Sequence, residues 1–107
     1  VREADHIVVL ITTDSEEEAR RIGQLLVDRE KAACVNIVPR VNSLFRWEGQ
    51  LESAQESLML VKTKASLFRE VVELVKTVHS YEVPEIVALP IVSGSEDYLK
   101  WLDIACR

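Results

Sequence analysis

Between Ala33 and Thr63 the chain carries two β-rich runs, Ala33 to Trp47 and Leu51 to Thr63, around the Gly-containing turn Glu48–Gly49–Gln50. This is a hairpin signal. Each arm reads as about 15 residues, or roughly 50 Å at the rise of a strand. A helix of about 15 residues covers only roughly 22 Å. Helices of so short a chain therefore cannot shield the whole hairpin. Its outer half carries Leu44, Phe45, Trp47 and Leu51. Something other than the chain's own helices must bury them, and further copies of the chain are the simplest candidate.

The 107 residues are read as one domain, 1–107. Hydrophobic residues make up 48% and charged residues 29%, the balance of a soluble globular protein. Three Gly and three Pro argue against a disordered chain. The net charge of -5, with acids gathered at Asp14, Glu16, Glu17 and Glu18, disfavours nucleic acid as a partner. No apolar run approaches the roughly 20 residues of a membrane span, and the first six residues, Val1 to His6, lack the apolar core of a leader. Cys34 and Cys106 lie far apart without metal-finger spacing, which fits a reducing cytoplasm.

Ile7 to Thr13 is a continuous apolar, β-branched run and reads as a buried strand. Ser15 caps the helix that follows, with Glu18 completing a capping box and Glu16 to Glu18 at the positive end of the helix dipole. Ala19, Ile22, Leu25 and Leu26 form its apolar stripe. Along the first hairpin arm, alternation predicts that Val35, Ile37, Val41, Phe45 and Trp47 share one face. Pro39 has no backbone donor, so this arm is an edge strand or is bulged there. The second arm ends in Leu58–Val61, apolar on both faces, as a central strand would be. Ser66 is expected to cap a second helix with Leu67, Phe68, Val71, Leu74, Val75 and Val78 inward. A strand between Pro84 and Pro90 follows, and Gly94–Ser95 begins a short helix bearing Tyr98, Leu99, Trp101 and Leu102. The order β-α-β-β-α-β plus a C-terminal helix is an α+β, ferredoxin-like split β-α-β sandwich with a long hairpin. Right-handed crossovers put both long helices on one side of the sheet. The other side then needs a cover, which again points to association.

Candidate chemistry is sparse. Gly-x-Gly-x-x-Gly, P-loop, Cys-x-x-Cys and His-x-x-x-His motifs are absent. His6 reads as a solvated terminal residue. His79 closes the second helix, where a histidine serves as a dipole partner. It also heads a compact polar cluster with Tyr81, Glu82 and Glu85 on a loop restricted by Pro84. Imidazole with carboxylate can bind copper, zinc or nickel, and the same set can hydrogen-bond a small ligand. Cys34 reads first as a buried inert thiol and second as a soft metal ligand, and Cys106 as incidental. Trp47 and Phe45 read as interface anchors, with the Trp47–Gly49 tip alternatively walling a ligand cleft. Lys62 and Lys64 read as solvated or, second, as an anion contact.

Ala32–Pro39, then Ser43, Phe45, Trp47, Glu48 and Gly49, then Lys62–Thr63, then His79 with Tyr81–Ile86 together resemble the CutA family of divalent-cation tolerance proteins. The likeness runs from about Ile7 to Trp101, nearly the whole chain. It implies a ferredoxin-like fold and a tight homotrimer joined through the long hairpins, as in the trimeric nitrogen-regulatory signalling proteins. It implies a response to copper and other divalent metals, with Cu or Zn as the ion and metal roles at Cys34 and His79. Relatives in animals are associated with anchoring of acetylcholinesterase, and no settled enzymatic activity comes with the family. Two positions depart from the pattern: Phe45 stands where Tyr is usual, and Ser80 where Pro is usual.

The leading expectation is a non-enzymatic, cytoplasmic, homotrimeric metal-binding protein. Cys34, His79 and Glu82 are its metal ligands, and Trp47, Lys62, Tyr81 and Glu85 line a cleft. The alternative is a trimeric signalling module whose inter-subunit clefts take a small anionic ligand or a protein partner. A hydrolase ranks lowest, since no Ser/His/Asp series or activated nucleophile is visible.

Overall fold

A computed structural model describes residues 4–107. Val1, Arg2 and Glu3, which entered the leader expectation, lie outside the described residues. The elements are β1 (His6–Thr13), α1 (Glu16–Asp28), β2 (Cys34–Trp47), β3 (Gln50–Lys64), a 3-10 turn (Ala65–Leu67), α2 (Phe68–Val78), β4 (Ile86–Pro90) and α3 (Glu96–Ala105). The strands form one antiparallel sheet in the order β2-β3-β1-β4. This is the expected ferredoxin-like α+β arrangement. β1 and β3, apolar on both faces, take the centre.

Alternation along the two central strands sorts the core. Val9 and Ile11 on β1 are opposite Val61 and Met59 on β3, and all four are fully buried. They pack with Ala19, Ile22 and Leu26 of α1 and Val71 and Val75 of α2. Both long helices therefore cover the same face. Each fully buried aliphatic side chain there stabilises the fold by about 1.5–3 kcal/mol relative to exposure. Gly23 lets α1 approach β2 closely: a Cβ there would stand 3.2 Å from Val35 Cγ1. α3 closes a second, smaller cluster, in which Leu102 and Cys106 meet Leu67 beside Ala33. Cys106, expected to be incidental, is thus a core residue, its thiol donating to the Leu102 carbonyl.

Local signals held at most helix ends. Ser15 Oγ accepts from Glu18 N–H, and Ser95 Oγ accepts from Tyr98 N–H. Ser66 does not cap α2. A 3-10 turn precedes that helix and occupies the position where a capping side chain would act, so Leu67 stands at the N-cap with no side-chain bond. His6 is not solvated either: its ring is largely buried, and Nε2 pairs with Asp103 of α3 at 2.8 Å.

The hairpin arms are 14 and 15 residues long. Trp47 pairs with Gln50, and the two residues between them have φ values of 50° (Glu48) and 79° (Gly49). Two left-handed residues make the type I′ turn that suits the twist of a hairpin. At Pro39 the strand is both an edge and bulged. Val38 faces Leu58, whereas Val41 faces Glu56, so β2 carries one extra residue. Ser57 Oγ donates to the Pro39 carbonyl at 2.7 Å and ties the bulge down.

The bulge overturns the expected face assignment. Val35 and Ile37 face the helices with Val61 and Met59. Beyond the extra residue the parity reverses, and Val41, Phe45 and Trp47 share the opposite face with Glu56, Glu52 and Gln50. That face, which neither α1 nor α2 covers and which α3 meets only at the His6 and Cys34 end, also carries Val8, Leu10, Leu58, Leu60, Val87 and Leu89. Val87 and Leu89 are each about half exposed.

Candidate functional site

The loop between α2 and β4 lies at the C-terminal end of β1. His79 ends α2, its N–H bonding to the Val75 carbonyl. Its ring turns back onto the sheet, where Nε2 meets the Thr12 carbonyl at 2.8 Å. Nδ1 accepts the Tyr81 N–H at 3.0 Å. An Nδ1 that accepts carries no proton, so Nε2 is the donor to Thr12 and the ring is neutral in the Nε2–H tautomer. Tyr81 stacks obliquely beside this ring, centroids 4.8 Å apart. Its hydroxyl donates to Glu56 Oε2 on β3 at 2.7 Å. Burial first, then this bond and the Glu56 charge, push the Tyr81 phenol well above its usual value. Glu56 also borders a hollow of about 480 Å³ between the start of α1 and the bulged Arg40.

Glu18 was legible only as a capping residue. It is 4% exposed, and it holds the same loop. Oε1 accepts Asp14 N–H and Ser80 O–H, both at 3.1 Å, and Oε2 accepts Ser80 N–H at 2.8 Å. The capping box therefore closes on Asp14, one residue before the cap. Burial alone would raise the Glu18 carboxyl. The Ser80 N–H, the Ser80 hydroxyl and the Asp14 N–H outweigh it and hold the group below its ordinary value. Ser80 thus gains a definite role from two donors that a proline lacks.

The expected residues fall in three places. His79, Tyr81, Glu82 and Glu85 share the loop, with Glu82 and Glu85 exposed. Cys34 and Lys62 face each other at the other end of the sheet, beside Val8. Val8 is four residues before Thr12, so Cys34 and His79 are roughly 13 Å apart along the strands, besides the spacing between strands. Cys34 is half-buried rather than buried, its thiol near Asn36 Oδ1 at 3.8 Å, and Lys62 bonds the same oxygen. Trp47 is 43% exposed at the hairpin tip. It lies eight positions along β3 from the level of His79, or roughly 27 Å. Within one chain these groups do not converge. Among the described residues no three of His, Cys, Asp and Glu gather as a metal cluster, and no helix is long and apolar enough to cross a membrane.

The CutA1 divalent ion tolerance protein model matches residues 7–105, from the second residue of β1 to the end of α3. The chain belongs to the CutA1 family. It is 55% identical over 95 residues to the divalent-cation tolerance protein CutA of Thermus thermophilus, covering 89% of this chain and 92% of that protein. With the chloroplastic protein CutA of Arabidopsis thaliana it shares 43% over 101 residues, 94% of this chain but 56% of that protein. The chain thus spans little more than half the length of that plant relative. The solved Thermus thermophilus CutA1 superposes with a TM-score of 0.93 at 51% identity, covering 95% of this chain and 99% of that one. A structure described as the periplasmic CutA of Archaeoglobus fulgidus gives 0.91 at 45% identity, covering 94% and 97%. The relatives' names refer to the chloroplast in one case and the periplasm in another, so the family does not carry one compartment.

Proposed function

We propose that the chain is a homotrimeric, non-enzymatic CutA1 protein that binds divalent cations, copper or zinc, at clefts between subunits. One observation carries this reading: the sheet face opposite the two long helices and the outer hairpin present apolar side chains that the chain itself leaves uncovered. Leu44 is 75% exposed and Leu51 71%. A projecting hairpin brings Trp47 of one copy towards the His79, Tyr81 and Glu82 cluster of another, with Glu85 at the rim. Pockets of this kind combine apolar walls with a few convergent polar groups.

The donor set fits a cation in part. Imidazole, phenol and carboxylate suit copper or zinc, yet both nitrogens of His79 already serve backbone groups. A metal would have to displace one of those bonds, which supports modest affinity at a cleft completed by a second chain. Cys34 is a separate, weaker candidate, since the Lys62 ammonium opposite it opposes a cation. The imidazole is engaged through both nitrogens with backbone groups and bonds no hydroxyl, which supports binding rather than catalysis. Two unpaired thiols support a reducing compartment such as the cytoplasm.

Sedimentation equilibrium, with isothermal titration of metal-free protein by Zn(II) and Cu(II), tests the reading. The expected result is three subunits and saturable binding weakened by His79→Ala. A monomer at micromolar concentration, or binding unchanged by both His79→Ala and Cys34→Ala, would refute it. Binding of a small anion without metal would favour the signalling alternative.

A further inference from the structure

We propose that Glu18 is the positioning residue of the His79–Tyr81 cluster, fixing through Ser80 the tautomer and orientation in which His79 presents its ring. The inference rests on the reading of this cluster as the cation cleft, and it extends that reading to a residue on a different element.

Three observations carry it. First, Glu18 is nearly inaccessible and, among the described residues, has no cationic partner, which is rare for a buried carboxylate. Its hydrogen-bond partners are uncharged N–H and O–H groups. Second, capping accounts for only one of the three bonds it accepts. A glutamine can serve in a capping box, but Glu18 presents acceptors on both oxygens, and two of its bonds cross 62 residues to Ser80. Third, Ser80 lies between the two residues whose relation defines the cluster. The Tyr81 N–H reaches back over it to His79 Nδ1. Fixing the Ser80 backbone fixes that bond, which works with the Thr12 carbonyl on the other nitrogen to hold the lone pair on Nδ1 and the proton on Nε2.

An amide cannot reproduce this. In Glu18→Gln one acceptor becomes a donor. Whichever way the amide turns, an NH2 faces either the Ser80 N–H or the Asp14 N–H. Ser80→Pro removes both donors from the loop and leaves the α1 cap intact. Ser80→Ala removes only the hydroxyl. Groups that support a metal-ligating histidine from behind typically change affinity by about 10–100-fold when altered.

The test has two independent readouts on the metal-free full chain. Long-range 1H–15N NMR of the imidazole reports the tautomer of His79, assigned with His79→Gln. Zn(II) titration then reports affinity. In the parent protein His79 is expected to hold the single Nε2–H tautomer. In Glu18→Gln and Ser80→Pro its ring nitrogens should move towards averaged shifts, with Ser80→Ala between. Zinc affinity should fall by about 10–100-fold in the first two. A single unchanged tautomer in Ser80→Pro and Ser80→Ala would overturn the proposal, whether or not Glu18→Gln folds. If the parent binds no zinc, the proposed function fails while the tautomer readout still decides the role of Glu18.

Discussion

Tyr81→Phe separates the ring of Tyr81 from its hydroxyl. The ring contact with His79 survives, because Phe keeps the aromatic face. The 2.7 Å bond to Glu56 does not. Glu56 is only 9% exposed, so its carboxylate loses a charge-assisted partner in a place water reaches poorly. Removing a bond to a charged group costs about 1.5–3 kcal/mol. The hollow beside Glu56 can admit water to the vacated position, which places the loss near about 1.5–2 kcal/mol. With a urea slope of about 1–3 kcal/mol/M, the midpoint should fall by roughly 0.5–2 M at unchanged slope. Unfolding is followed by circular dichroism at one fixed subunit concentration, because assembly contributes to stability. The alkaline limb supplies the sign. The Tyr81 phenol is raised above its ordinary 10.0 in the folded state. Its contribution is therefore complete below about pH 10 and is lost as pH rises through the higher folded value. The parent should lose stability in that alkaline window faster than Tyr81→Phe, and the gap between them should close. Tyr98, also raised, is common to both proteins and cancels. A Tyr81→Phe protein within about 0.5 kcal/mol of the parent at neutral pH would refute the reasoning, since that is the scatter of an ordinary surface change.

Glu18 acts at the other end of the pH scale: its folded carboxyl is held below the ordinary 4.5, so its contribution is complete above that value and lost as pH falls through the folded one. The acid limb of a pH–stability curve should accordingly flatten in Glu18→Gln. Gly49→Ala should cost about 1 kcal/mol, because φ of 79° is strained for any side chain while nothing crowds the added methyl, and thermal unfolding at fixed concentration reads the loss. Met59→Ala should cost about 2–5 kcal/mol, since the side chain is fully buried between the sheet and both helices, and urea midpoints check it.

Much of the fold was legible from short-range pattern. Ile7–Thr13, the helix capped by Ser15, the Glu48–Gly49 turn and the helix after Ser95 all stand within a residue or two of their expected places. Each is set by interactions spanning a few residues: alternation, a capping hydroxyl, a pair of left-handed turn residues. The Ser66 cap failed for a local reason as well, because the chain chose a 3-10 turn that the propensities do not distinguish from a helix start. The polar character of the His79 loop was readable too, since its functional groups lie within seven residues of one another.

What the chain's own residues determined, then, is the succession of elements, the long hairpin and the surplus of apolar surface it brings. Tertiary structure alone decided which way that surplus faces. Pro39 permits an edge or a bulge, and only pairing with β3, with Ser57 holding the Pro39 carbonyl, selects both and turns Phe45 and Trp47 away from the helices. The same holds for Cys34 and His79, joined by chemistry in the sequence but set at opposite ends of the sheet by strand register. It holds for Glu18, whose second role depends on a residue 62 positions away. A periodic pattern encodes contacts with near neighbours. A register shift or a side chain reaching another element leaves no periodic trace, because its partner is chosen by packing in three dimensions.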